Sequence, residues 1–296
     1  MFPKFIVARV AQSLGLGAVL AMSATATPAA AAQATFVPCD PGQLSAAIAT
    51  ANQQGSGVLS LAPNCVYTLS SPLPAITGNI TIDANGDTIT RSSSAQNFRI
   101  FTVAANGHLT LQQATVSNGV ATGSFPDNFG GGIANFGFLD VVDSRIRNNT
   151  ADFSGGIGNV ATAMIVRTTV SGNTTTHNGG GAANDGSMTI VRSRFNNNSA
   201  TGFGGGIAND GSLTVRDSNV NGNVASDGGG IANLTIGSNA GTAIVQSSNV
   251  NDNTATDGIG AGGILNQPPA SVTLTDSRVR GNTPTNCAGT VPDCTN

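Results

Sequence analysis

The sequence predicts an all-β fold: a right-handed parallel β-helix, a three-strand solenoid of about eight or nine rungs, with a short N-terminal capping helix. Three observations carry this reading. The first is composition, since 296 residues include 39 Gly, 31 Asn, 15 Asp, 11 Arg and one Lys, with no Glu and no Trp. Glu and Lys fill helix surfaces at low entropic cost, whereas Gly and Asn favour turns, so helix bundles and α/β enzymes are excluded. The second is a repeat: GGGIAN at 130–135 returns, intact or degraded, as GGIGN, GGGAAN, GGGIAN, GGGIAN and GGILN, and its closing Asn residues are 24, 25, 25, 24 and 33 apart. A period in the twenties marks units that cannot bury an apolar face alone and stack on one another. The third is period-two alternation before each second element, as in Leu139 and Val141, Leu213 and Val215, and Val272 and Leu274, which makes these segments strands.

The elements follow in order. Lys4 and Arg9, the apolar stretch Val10 to Met22 and the Ala-x-Ala sites near Ala30 to Ala34 predict an export signal over 1–32, cleaved after Ala32 or Ala34. No stretch approaches the ~18 apolar residues of a membrane span, so a secreted or cell-surface monomer without a transmembrane segment is expected. Residues 33–70 form the N-terminal cap and first rung. Within them QLSAAIATANQQ, at 43–54, places Leu44, Ala47, Ile48 and Ala51 on one helical face. Such a helix covers the open end of a solenoid core. Residues 71–282 form the β-helix proper, beginning with Ile80 to Asp83, Phe101 to Val103, Leu109 to Leu111 and Thr115 to Asn118. Residues 283–296 form a C-terminal cap loop.

A second signature, apolar-x-x-Asn, follows every Gly-rich corner: Ile146, Val170, Phe195, Val220, Val250 and Val279 head it. Two residues earlier stand the small hydroxyls Ser144, Thr168, Ser193, Ser218, Ser248 and Ser277. Equivalent Asn residues on successive rungs are expected to form amide ladders. The four cysteines, Cys39, Cys65, Cys287 and Cys294, allow three pairings; local pairing at each end is the economical one and fits an oxidising destination. Neither spacing is CxxC, which argues against zinc.

The repeat Gly-Gly-Gly-Ile-Ala-Asn, strand, Asp-Ser and apolar-x-x-Asn resembles that of bacterial right-handed parallel β-helix proteins of the pectate-lyase-like superfamily. It is close in motif to the repeats of chlamydial polymorphic outer-membrane adhesins, with Phe195 to Asn198 as F-x-x-N and Gly205 to Ile207 as G-G-I. LSAAIATAN resembles the capping helix of exported β-helix proteins that carry a CSLREA-type leader. The resemblance spans nearly the whole chain after the signal and is specific for fold, while a fold hosts many activities. Those adhesins end in a translocating β-barrel, and none is expected here.

The same resemblance implies lyase or hydrolase chemistry as one possibility. A lyase needs an Arg or Lys base with carboxylates holding Ca²⁺, the one setting in which a cofactor is expected; a hydrolase needs paired carboxylates. Asp185 and Asp210, one rung apart, could form such a pair, although both belong to Asn-Asp-Gly turns that favour Asp for backbone reasons. Asp143 beside Arg167, and Arg192 beside Asp217, read as a surface pairing ladder. His108 has no identifiable partner. A stripe along one corner is more suggestive: Phe129, Phe153, Asn178, Phe203 and Asp227 align, flanked by Asp127, Asp152 and His177. Aromatic faces beside carboxylates suit stacking on sugar rings. The candidate ligand-binding set is Asp127, Phe129, Asp152, Phe153, His177, Phe203 and Asp227, with no catalytic or metal-binding residue assigned.

With no Lys/Arg-rich run and a net charge of -3, nucleic acid is not an expected partner. The leading expectation is a non-catalytic exported scaffold for adhesion or carbohydrate binding, its partner a polysaccharide or cell-surface ligand. A polysaccharide lyase or hydrolase acting on an acidic glycan is the alternative, and a purely structural coat protein the third.

Overall fold

The computed structural model describes residues 33–296; the export signal expected over 1–32 lies outside the described residues. The described chain winds as a right-handed parallel β-helix. Ten parallel strands, from Thr35–Val37 to Ser271–Thr275, stack as the first sheet. Nine, from Val66–Leu69 to Arg278–Arg280, form the second, and eight, from Phe101–Val103 to Thr285–Ala288, form the third. A fourth ribbon of two-residue strands, from Val120–Ala121 to Thr254–Ala255, adds a short side that the three-strand expectation omitted.

Core columns run along each sheet because parallel register places equivalent residues directly over one another. In the first sheet Leu111, Val141, Ile165, Ile190 and Val215 pair in succession, and all are fully buried. The second sheet contributes Val116, Ile146, Val170, Phe195 and Val220, and the third Ile133, Ile157, Ala182, Ile207 and Ile231. Phe195 enlarges its column where Ala182 thins the opposite one. A fully buried Phe side chain of this kind contributes ~1.5–3 kcal/mol of transfer free energy.

Polar columns hold the corners. Asn135, Asn159, Asn184, Asn209, Asn233 and Asn266 form one amide ladder, each Nδ2 donating to the next Oδ1 at 2.6, 2.7, 2.7, 2.8 and 2.9 Å. Asn149, Asn173, Asn198, Asn223, Asn253 and Asn282 form the other; there each Oδ1 also accepts the backbone N–H of the preceding Asn. These buried amides therefore satisfy a turn that neither sheet can serve. The hydroxyl column works likewise: Ser193 Oγ accepts from Thr168 N at 3.1 Å and donates to the Val191 carbonyl at 2.9 Å.

A third column alternates Asx and Gly in left-handed backbone: Asn148, Gly172, Asn197, Gly222, Asp252 and Gly281. The alternation has a steric cause. A Cβ at Gly222 would lie 2.6 Å from Asn197 Oδ1, and one at Gly172 would lie 2.6 Å from Asn148 Oδ1. An Asx side chain that lies over the next rung thus requires Gly there; Asn118, one rung before Asn148, instead turns its amide back to Thr90, and Asn148 can follow it.

The helix Pro41–Gln54 closes the N-terminal end. Asp40 caps it by accepting from Gln43 N, Pro41 opens it, and Gly55 ends it in left-handed backbone. Leu44, Ile48 and Ala51 are buried and Ala47 packs partly against the core, as its spacing predicts. Cys39 bonds to Cys65 and Cys287 to Cys294, the local pairing. The single Tyr, Tyr67, is fully buried beneath the cap; its hydroxyl donates to the Val37 carbonyl and accepts from Ala62 N. At the other end Asn286 Oδ1 accepts from Asn282, terminating the second Asn ladder, while Cys287 takes the inward position above Ile264.

Two surface expectations need correction. Arg167 and Asp143 do form a two-pronged pair, at 2.6 and 2.7 Å, but Arg192 and Asp217 do not. Asp217 instead faces Arg216 at 4.0 Å; the rung of Asp143 has Val142 at that position and so no competitor. His108 has a partner after all: its Nε2 lies 2.8 Å from Asp140 Oδ2, one rung on.

Candidate functional site

The outward face of the third sheet has a floor of small residues, because the middle residue of each short strand points out: Ala134, Gly158, Ala183, Ala208 and Ala232. Gly158 is required where Phe129 crosses, since a Cβ there would lie 2.4 Å from the Phe129 ring. Two excursions from the regular coil overhang this floor. One is the segment between Ala121 and Gly130, carrying Phe125; the other is the hairpin Thr235–Ile236 with Asn239–Ala240, carrying Ile236. Between them lies a cleft of about 320 Å³ lined by Phe125, Phe129, Phe153, Asn178, Ala183, Asp185, Ala208, Asn209, Asp210, Leu234 and Ile236.

The aromatic wall is a cluster. Phe129 is 4% exposed and packs edge-on to Phe125, with Phe136 behind them. Phe125 and Phe153 are exposed. Phe153 stacks with the imidazole of His177, and the corner residues Phe129 and Phe153 are bridged across adjacent rungs. A carbonyl only accepts, so the 3.0 Å contact of His177 Nδ1 with the Asp152 carbonyl places the proton on Nδ1.

The opposite wall is acidic. Asn184 and Asn209 pair in register, so Asp185 and Asp210, which follow them, stand on adjacent rungs. Asp210 is buried, whereas Asp185 is exposed on its solvent side and loses water on the side that faces Asp210 and the cleft. Loss of solvent around the Asp185 carboxyl, then the neighbouring Asp210 charge, push its pKa up to about 7. At neutral pH this pair can therefore both donate and accept hydrogen bonds.

Of the seven residues expected from sequence, the structure brings Phe129 and Phe153 to the cleft. Asp127 is elsewhere: it is 86% exposed, 3.7 Å from the buried Arg99, in a neighbouring cavity of about 370 Å³. Asp152 braces the excursion by accepting from Gly123 N. Phe203 is half-buried against Ala208 and Leu234. Asp227 accepts from the backbone of Gly228 and Ala261, both at 2.7 Å; burial raises its pKa while these bonds oppose the rise. The main residues that the stripe missed are Asp185 and Asp210. Their signal was a column reading Phe136, Val160, Asp185, Asp210, Leu234, in which two acids interrupt an apolar series.

Among the described residues no group of three or more His, Cys, Asp or Glu gathers as a metal site. Fold and cleft define a class: a disulfide-closed parallel β-helix with a lateral cleft, aromatic on one wall and acidic on the other. The chain matches no family model, no curated protein and no solved structure.

Proposed function

We propose that the protein is an exported, non-catalytic β-helix scaffold that binds carbohydrate through this cleft, and thereby serves adhesion. The observation that carries the reading is the cleft's pairing of exposed Phe rings with the Asp185–Asp210 pair across a floor of alanines. A sugar ring has an apolar face of C–H groups and a rim of hydroxyls, which fit these two walls respectively. Two disulfides fit an oxidising compartment, and no described helix is long and apolar enough to cross a membrane. The test is a glycan array followed by calorimetry on the best ligands. Saturable binding weakened by Phe153→Ala supports the reading, and no binding by the intact protein favours a structural coat.

One observation favours a second reading, a glycoside hydrolase. Two adjacent carboxylates, one protonated near neutrality, are the minimal acid and base for hydrolysis. A lyase is less well served, since no Arg, Lys or His lines the cleft. Reducing-sugar release abolished by Asp185→Asn, with binding retained, would replace the scaffold reading with the hydrolase.

A further inference from the structure

Beyond the cleft, the fold sorts charge by face. Of twelve cations, Lys4 and Arg9 precede the described residues, which leaves ten Arg. Six of these, Arg91, Arg145, Arg147, Arg194, Arg278 and Arg280, lie on strands of the second sheet, and those nine strands contain no Asp. Arg91 is committed to the carbonyls of Asn118, Ser92 and Ala95. The other five are exposed, and among the described residues the arginine ion pairs involve only Arg99, Arg167 and Arg216.

The register makes these five a stripe. Inward Ile146, Phe195 and Val279 alternate with the arginines, so Arg145 and Arg147, like Arg278 and Arg280, point outward ~7 Å apart. Arg145 pairs with Thr169 and Thr169 with Arg194, two rungs or ~10 Å along the axis. From Arg194 through Asn219 and Asn249 to Arg278 is three more rungs, ~14 Å. Five unpaired guanidinium groups thus line a flat strip ~24 Å long, on a protein of net charge -3.

We propose that this strip binds a linear anionic polysaccharide, one bearing carboxylate or sulfate groups along an extended chain. Planar guanidinium groups match both oxyanions in two-pronged geometry. The residues between them are hydroxyl and amide side chains, Thr169, Ser171, Asn219, Asn221 and Asn249, which suit sugar hydroxyls. They supply no aromatic platform of the kind single-stranded nucleic acids use. The protein's net negative charge also opposes a densely charged duplex more than a sparsely charged glycan. The cleft plays no part, so the two sites stand or fall separately.

The test measures binding of the full chain to heparin, hyaluronate, neutral dextran and a DNA duplex at ~50 mM and ~200 mM salt. The expected result is binding to heparin or hyaluronate, loss of ~10- to 100-fold on raising the salt, and no binding to dextran through this strip. Arg145→Ser with Arg147→Ser, and separately Arg278→Ser with Arg280→Ser, should each weaken it at least ~10-fold with unchanged thermal unfolding, while Phe153→Ala leaves it unaltered. Failure of both polyanions to bind at low salt, indifference to both Arg pairs, or tighter binding to the duplex would overturn the proposal.

Discussion

The imidazole of His177 stacks on the ring of Phe153, with centroids 4.1 Å apart and planes 21° from parallel. The two residues stand on successive rungs of one corner, and His177 is held by the Asp152 carbonyl. Phe153 is thus held by a stacked partner and also lines the cleft. His177→Ala is expected to weaken glycan binding about twofold without entering the cleft, and Phe153→Ala by ~2- to 10-fold, corresponding to about 0.5–1.5 kcal/mol for an aromatic contact. Calorimetry on a ligand from the array checks both; equal, negligible effects would remove Phe153 from the site.

The Asp185 carboxyl gives a pH prediction with a definite sign. Its pKa in the folded chain, about 7, lies above its ordinary 3.8, so the folded state holds this proton more tightly than the unfolded one. Its contribution to stability is complete below about pH 4 and is lost as pH rises through about 7. Asp185→Asn should therefore raise the unfolding temperature at about pH 8 and leave it nearly unchanged at about pH 4. A difference that stays constant across pH contradicts the raised pKa of Asp185.

The second Asn ladder predicts a large effect from a single amide. Asn198 Oδ1 accepts from Asn173 N and Nδ2, and its own Nδ2 donates to the Val170 carbonyl and Asn223 Oδ1. Asn198→Ala leaves the buried Asn173 N–H without a partner and is expected to cost about 2–4 kcal/mol, more than one unsatisfied group alone. Denaturant unfolding measures it, and a loss under about 0.5 kcal/mol would show that water repairs the ladder.

The Asx and Gly alternation is testable by compensation. Gly222→Ala places a methyl in left-handed backbone, 2.6 Å from Asn197 Oδ1, and should destabilise by about 1–2 kcal/mol. Adding Asn197→Gly removes the oxygen and should relieve part of that loss, leaving the backbone component. Strict additivity in a double-mutant cycle would deny the contact.

Much of the fold was legible because a solenoid repeats its physics. Each rung restates the same inward apolar residue, hydroxyl and Asn, so Ile146, Ser144 and Asn149 are recognisable from their five successors. The helix over Pro41–Gln54 was legible from Leu44, Ile48 and Ala51 for the ordinary reason of helical spacing. Its cap by Asp40 was not anticipated. The short fourth side escaped because two-residue strands such as Thr150–Ala151 carry too little alternation to show. The cleft was half legible: the corner stripe led to Phe129 and Phe153, but Asp185 and Asp210 had a sufficient local explanation in their Asn-Asp-Gly turns.

Sequence by itself determined the strand order, the inward columns and the Asn ladders, since each depends on spacing within one coil and its repetition in the next. Only the tertiary structure decided what meets across coils and on the outer faces. His108 found Asp140, Asp217 found Arg216 rather than Arg192, and the two excursions came to flank one floor of alanines. The five arginines from Arg145 to Arg280 became one basic strip in the same way. The physical reason is that inward residues must bury apolar surface and so write a pattern into the chain. Outward residues are free of that demand, and their function depends on neighbours that only the winding brings together.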